Sequence, residues 1–427
     1  MNFAFLLSYI LLFVFFLWFY YKKKKNIDAG AVLIILYLVY AVLGLLLFFD
    51  KSSIENADFQ DFDIQIFPLI YLFVCLIISF TPILSYNSKN YFRVKPPNFN
   101  LNYFAWFFIL CYLLQIGSIA SNLSRGLYMI LFMDEGAAEL YSEMIDKTSS
   151  GGIGIENVFS IFGNMLYGFG ILLFYYYLSL PKKNKLIICG LGIAIIVGIL
   201  EYASAGQRGG MIKRCLLVFG TFFFFKDYIG ERTKKTFRLI GTIVASFFVV
   251  VFLAMSLSRF GDREGGIGSS FNRYGGEALM NFDRYAFDNN GIRYGDRVFP
   301  LFKRILQFDN VPRNFMERRA KYPRLHINDE VFITYIGDFC LDFGPIIAFI
   351  IILLFSIWVR SSTRCINKEY PFHKLIILHF AFSISIQGGS LFPYADTGNL
   401  VIITYFLLYW FFAIIYSSST KVGVNIK

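Results

Sequence analysis

Apolar runs of about 20 residues, each long enough to cross a bilayer, recur along almost the whole chain. They lie near 3–21, 29–49, 65–84, 101–120, 155–180, 186–204, 211–226, 239–257, 343–359, 375–388 and 398–417. A run that is apolar all round is a membrane-span candidate, and in lipid the backbone has to satisfy its own polar groups. The expected fold is therefore all-α, a polytopic integral membrane protein of about eleven transmembrane helices. Composition agrees: 57 % of the 427 residues are hydrophobic and mean hydropathy is +0.57, against roughly 45–50 % apolar in soluble domains. The 52 Phe and 28 Tyr exceed what one core needs. Interfacial belts and a sugar-contacting cavity both use rings with an apolar body and a polar edge.

The loops between these runs alternate in charge. One series holds Lys22 to Lys25; Lys89, Arg93 and Lys95; Lys182, Lys183 and Lys185; Lys226, Arg232, Lys234, Lys235 and Arg238; and Arg360, Arg364, Lys368 and Lys374. The other short loops hold few cations, notably Lys51, Arg125, Lys147 and the group around Arg208. The positive-inside rule makes the first series cytoplasmic, with the amino terminus outside and the carboxyl terminus inside. Residues 2–21 have no positive charge before them and four lysines directly after, the reverse of a cleavable signal peptide, so a retained helix is expected. The net charge of +11 and pI of 9.2 thus follow from topology and give no reason to invoke nucleic acid. The six cysteines fall in or beside spans or in an inner loop, without metal-binding spacing. No disulfide framework, metal or other cofactor is expected.

One outer stretch breaks the pattern. Residues 258–329 carry Arg259, Arg263, Arg273, Arg284, Arg293, Arg297, Arg304, Arg313, Arg318, Arg319 and Arg324. Loops longer than about 60 residues escape the positive-inside bias, so these arginines need a reason of their own. A large anionic ligand at the outer leaflet supplies one, because a guanidinium fork matches phosphate geometry. Gly265, Gly266, Gly268, Gly275 and Gly276 punctuate the stretch, and Val298 to Phe308 mixes apolar with charged residues. Short, partly amphipathic helices are expected there. The chain then divides into 1–257 with eight spans and short loops, 258–329 as the large outer loop, and 330–427 with three spans, all within one membrane domain.

The most specific segment is Glu201-Tyr-Ala-Ser-Ala-Gly-Gln-Arg208-Gly-Gly-Met-Ile-Lys213-Arg214. It joins two spans at their outer ends with no room for a loop, which holds Arg208, Lys213 and Arg214 at or just beneath the membrane surface. Gly209 and Gly210 permit close backbone approach to a ligand at the start of a helix, where anions are favoured. A pyrophosphate would find both charge and donors; snorkelling of the cations toward lipid phosphate is the plainer alternative. Glu201 lies in an apolar run, and two roles stand for it: ion-pair partner of Arg208, or catalytic base.

The second segment runs from Arg324-Leu-His326-Ile-Asn-Asp329-Glu330 into Thr334-Tyr-Ile-Gly-Asp338-Phe-Cys-Leu-Asp342-Phe-Gly344-Pro345. His326 is the sole histidine placed outside, and it is either a general base for a sugar hydroxyl or a solvated surface residue. Asp338 and Asp342 share a helix face, where they bind sugar hydroxyls, cap a helix or pair with loop arginines. Arg125 and Tyr394 border the same outer side as weaker candidates. Of the loop arginines, about three or four are expected to touch ligand and the rest to be structural or solvated.

Three features together resemble the bacterial oligosaccharide repeat-unit polymerases, the Wzy-type O-antigen polymerases. They are Ala205-Gly-Gln-Arg208-Gly-Gly at the outer end of a span, the arginine-bearing outer loop, and Tyr335-Ile-Gly-Asp338-Phe-Cys-Leu-Asp342-Phe-Gly344 entering a late helix. The resemblance implies a GT-C-like membrane glycosyltransferase of the bacterial inner membrane, similar to the O-antigen ligases and independent of metal and nucleotide sugar. Such an enzyme moves a growing glycan from undecaprenyl pyrophosphate onto the non-reducing end of a fresh lipid-linked unit, building O-antigen or capsular polysaccharide. The partners implied are the undecaprenyl-pyrophosphate-linked oligosaccharide, membrane lipid and a chain-length regulator protein. Arg208 is the strongest residue match, and the resemblance implies a second ligand-binding arginine from the long loop, with Arg259, Arg273, Arg284 and Arg293 as the candidates. A ligase of the same architecture and a lipid-linked oligosaccharide flippase are the alternatives.

Overall fold

The structure is a computed structural model that describes residues 3–50, 63–132, 155–260, 266–327, 332–393 and 395–422. Most of it is helical: α1 Phe3–Lys24, α2 Ala29–Phe49, α3 Ile66–Ser85, α4 Asn102–Leu113, α5 Ile116–Phe132, α6 Ile155–Ser179, α7 Lys185–Ser204, α8 Arg208–Phe225, α9 Glu231–Phe260, α10 Gly266–Tyr285, α11 Pro300–Ile305, α12 Phe315–Lys321, α13 Thr334–Phe343, α14 Pro345–Thr363, α15 Phe372–Gln387 and α16 Ala395–Val422. The chain is a mostly helical, multi-pass membrane protein. Among the described residues, eight helices are long and apolar enough to cross a membrane, or nine if α4 and the first part of α5, bent by 43°, form one broken span.

Every run read from the sequence is helical here, so the smaller count has local causes. α8 carries Arg208, Lys213 and Arg214 within its 18 residues, which lowers its apolar character. α15 has 16 residues and reaches only about 24 Å, short of the ~30 Å hydrocarbon core.

Two compact units make up the chain, cutting across the three stretches read from the sequence. The first comprises Met1–Asn87, Gly268–Arg364 and Ile377–Ile403. In it α1 and α2 form a hairpin, α3 packs on both, and α14 lies along α3. The Asp28 carboxylate fastens the hairpin turn: it caps α2 through the Ala31 N–H at 3.0 Å and accepts from the Tyr20 hydroxyl at 2.9 Å. α10 crosses α2 where Gly276 would place a Cβ 2.6 Å from the Leu43 carbonyl oxygen and 2.7 Å from Gly44 Cα. Gly275 and Gly276 therefore lie inside a helix and permit backbone contact, the use small residues find in membrane bundles. The expectation that they punctuate a loop is corrected: glycine serves both ends.

The second unit comprises Ser88–Ile267, Cys365–Ile376 and Thr404–Lys427. Its centre is α4 to α8, with α6, α7 and α8 in mutual contact. A three-residue strand Arg93–Lys95 pairs in parallel with Glu369–Pro371. Leu239, Ile240, Ile243, Phe247 and Val250 of α9 are exposed, as expected of a helix flank that meets lipid.

Outside the spanning helices, Asp283 near the end of α10 accepts the Gln65 backbone N–H at 2.9 Å, just before α3. Its other carboxylate oxygen is buried without a hydrogen-bond partner among the described residues. Burial, only partly offset by the Gln65 bond, pushes this carboxyl up to about 7. The fold thus favours the protonated form, so this contribution to stability is full below about pH 4 and is lost as pH rises through 7. Asp283→Asn keeps an acceptor for Gln65 and removes the ionisation. Melting of the detergent-purified protein at pH 5 and pH 8 should show wild type losing stability relative to the variant as pH rises; a constant difference rules the assignment out.

Candidate functional site

The second unit holds the Arg208 segment. α7 and α8 are joined by Ala205 to Gln207, with Gly206 at φ 66°, so the tight outer turn read from the sequence is present. Arg208 opens α8 and is buried at 5 % exposure, and no side chain caps the helix. It donates from Nη1 to Ser256 Oγ at 2.9 Å and stands over the Phe252 ring of α9. Lys213 and Gly209 are half-buried on the same helix.

Arg214, expected beside the ligand, is committed to the interior instead. It lies between the rings of Tyr167 and Tyr202, at 4.0 and 4.3 Å from their centres. It donates to the Gly198 carbonyl and Asn164 Oδ1, and pairs with Glu201 Oε2 at 3.2 Å. Glu201 also accepts from Ser160 at 3.0 Å and Asn164 at 3.3 Å. It has a cation partner as expected, but that cation is Arg214 and not Arg208, because the turn at 205–207 carries Arg208 toward α9. With Arg214, Ser160 and Asn164 all donating to it, Glu201 is placed as an ion-pair partner, one of the two roles open to it. A Cβ on Gly210 would fall 2.1 Å from the Tyr202 ring, so this glycine makes room for tyrosine.

The first unit holds the outer arginines. Arg293 and Arg297 come from the irregular segment between α10 and α11, Asp338 and Asp342 from one face of α13, and all four are at most 1 % exposed. Arg293 Nε lies 2.7 Å from Asp342 Oδ1, and Arg297 Nε lies 3.0 Å from Asp338 Oδ1. The second oxygen of Asp342 accepts the backbone N–H groups of Arg297 and Val298, while that of Asp338 accepts from Phe392. Two positive and two negative charges thus close on one another, and Asp338, a candidate catalytic group in the sequence, is sealed away from any substrate. Pairing with loop arginines is the alternative that the structure bears out for both carboxylates.

Next to this cluster a cleft of about 320 Å³ is lined by Arg293, Arg318, Arg319, Tyr322, Pro323, Leu325, His326 and Ile327. Tyr322 of the lining is tied to Asp296, which accepts its hydroxyl at 2.8 Å and also receives Lys321 Nζ at 2.6 Å, together with Lys303. Burial pushes the Asp296 carboxyl up, but hydrogen bonds from Lys303, Lys321 and Tyr322 outweigh it and hold the group below its usual range. His326 is exposed at the rim, its Nδ1 3.2 Å from the Asp288 carbonyl oxygen and its backbone N–H on the Asn289 carbonyl. Arg318, Arg319 and Tyr322 are site residues the sequence did not single out. The adjacent Arg318 and Arg319 were the available signal, hidden among eleven arginines of the same stretch.

The remaining candidates disperse. Arg273 pairs with Glu277 one turn along α10 at 3.3 Å, Arg284 stands over the Tyr285 ring, and Arg125 is exposed on α5. Tyr394 and the side chain of Arg259 lie outside the described residues, as do Asp329 and Glu330. Among the described residues no group of His, Cys, Asp and Glu is arranged to hold a metal ion. Compared with models of known protein families, with curated proteins and with solved structures, the chain matches none.

Proposed function

We propose that this protein is a polymerising glycosyltransferase of the bacterial inner membrane, GT-C-like in plan, with about eleven spans, the amino terminus periplasmic and the carboxyl terminus cytoplasmic. In this reading it transfers a growing glycan from undecaprenyl pyrophosphate to the non-reducing end of a new lipid-linked repeat unit at the outer leaflet. The acceptor hydroxyl loses its proton to a base, its oxygen bonds to the anomeric carbon, and the bond from that carbon to the pyrophosphate breaks. Charge gathers on the departing diphosphate, where a fixed cation is worth most. Arg208 is assigned that role.

The observation that carries the reading is Arg208 itself: a guanidinium buried at the uncapped start of a helix, directly after a tight turn between two apolar helices. Helix dipole and guanidinium there act on an anion with the same sign. Deleting the gene tests it against the two alternatives. A polymerase predicts a lipid carrier bearing a single repeat unit on the outer leaflet. Accumulation of full-length polymer on the carrier is the outcome for a ligase. A flippase would leave single units on the inner leaflet, and either of these results overturns the proposal.

A further inference from the structure

The cleft beside α12 is equipped for something other than a diphosphate on a long lipid. At about 320 Å³ it lies at the lower limit of small-molecule sites, room for a sugar ring and not for a polyprenyl chain. Tyr322, Pro323 and Leu325 present apolar surface suited to the C–H face of a pyranose, while Arg318, Arg319 and His326 supply donors. None of the described residues lining it is acidic. Arg293, held at 2.7 Å by Asp342, cannot swing away, and Tyr322 is fixed through Asp296. Arg319 is exposed and forms no ion pair with a described residue, so its charge is available to a ligand.

A rigid apolar wall facing forked donors fits a ring that carries a planar carboxylate. We infer that this cleft binds an acidic sugar of the hexuronate class, one unit of the glycan, through its carboxylate. The inference deepens the function proposed above and rests on it for the glycan as ligand. The polyprenyl diphosphate is assigned elsewhere, to Arg208.

Binding of free glucuronate, glucose and inorganic phosphate to the detergent-purified full chain, measured by calorimetry, tests it. Glucuronate should bind, glucose at the same concentration should not, and Arg319→Glu should weaken glucuronate roughly tenfold or more. Arg319 is exposed, so that variant is expected to fold, and Arg319→Lys should retain part of the affinity. Equal binding of glucose, or unchanged affinity in Arg319→Glu, overturns the proposal. Phosphate binding without glucuronate binding also overturns it, and marks a phosphate site instead. Because the probes are free sugars without lipid carrier, the result stands apart from polymer formation. Glucuronate binding in a protein that lengthens no glycan would sink the polymerase reading and leave the cleft assignment standing.

Discussion

Arg208→Ala is expected to abolish long-chain polysaccharide while the protein still inserts in the membrane. Removing one fixed donor from a developing oxyanion typically slows a chemical step about 10²–10³-fold. Polymerisation multiplies the deficit, because each added unit repeats the slowed step, so the visible product should collapse to single units. Arg208→Lys keeps the charge and loses the planar fork, which predicts shortened polymer rather than none. The structural alternative has its own control. Arg208 donates to Ser256, so an architectural role places part of its value in that bond. Ser256→Ala removes the bond and leaves the cation, and full-length polymer is expected from it. Gel analysis of the polysaccharide in a complemented deletion strain, with the membrane-inserted protein quantified in parallel, separates these cases. Full-length polymer from Arg208→Ala removes this residue from any leaving-group role.

The helices were legible in the sequence because an apolar run of about 20 residues is itself the physical requirement for crossing lipid. The tight turn before Arg208 was legible for a similar reason, since the two runs leave no residues for anything longer. What each charged side chain faces was not legible. Arg208 and Arg214 stand six residues apart on α8, yet one meets Ser256 of α9 and the other is clamped by Tyr167 and Asn164 of α6. Nothing local in the sequence distinguishes them, because the choice is made by helices that pack from far along the chain. Gly275 and Gly276 misled because the same residue type that opens a turn also permits helices to touch. The Asp338–Asp342 spacing was visible, as was the matching spacing of Arg293 and Arg297. Their pairing depends on the irregular path through Asn290 and Tyr294, both at positive φ, which no periodic pattern records.

That pairing makes the second large effect a matter of stability. Asp342 receives Arg293 and two backbone N–H groups at no exposure to solvent, so Asp342→Asn leaves two buried guanidiniums, Arg293 and Arg297, to share the one carboxylate of Asp338. Breaking a buried pair from one side costs about 3–5 kcal/mol, a large fraction of the stability of an ordinary domain. Asp342→Asn should therefore lower the melting temperature of the detergent-purified protein by several degrees and reduce the yield of folded material. The same electrostatics makes a less obvious claim about the double variant. A buried pair exchanged as a whole for apolar residues of similar volume is often tolerated, because the desolvation of both charges is avoided. Arg293→Met with Asp342→Leu should then recover much of what Arg293→Met loses alone, giving a favourable coupling across the cycle. The recovery is limited by the Arg297 and Val298 N–H groups, which lose their acceptor, so it should be partial. If Asp342→Asn melts with wild type, or if the two single losses simply add, the charges are not held together by their own attraction.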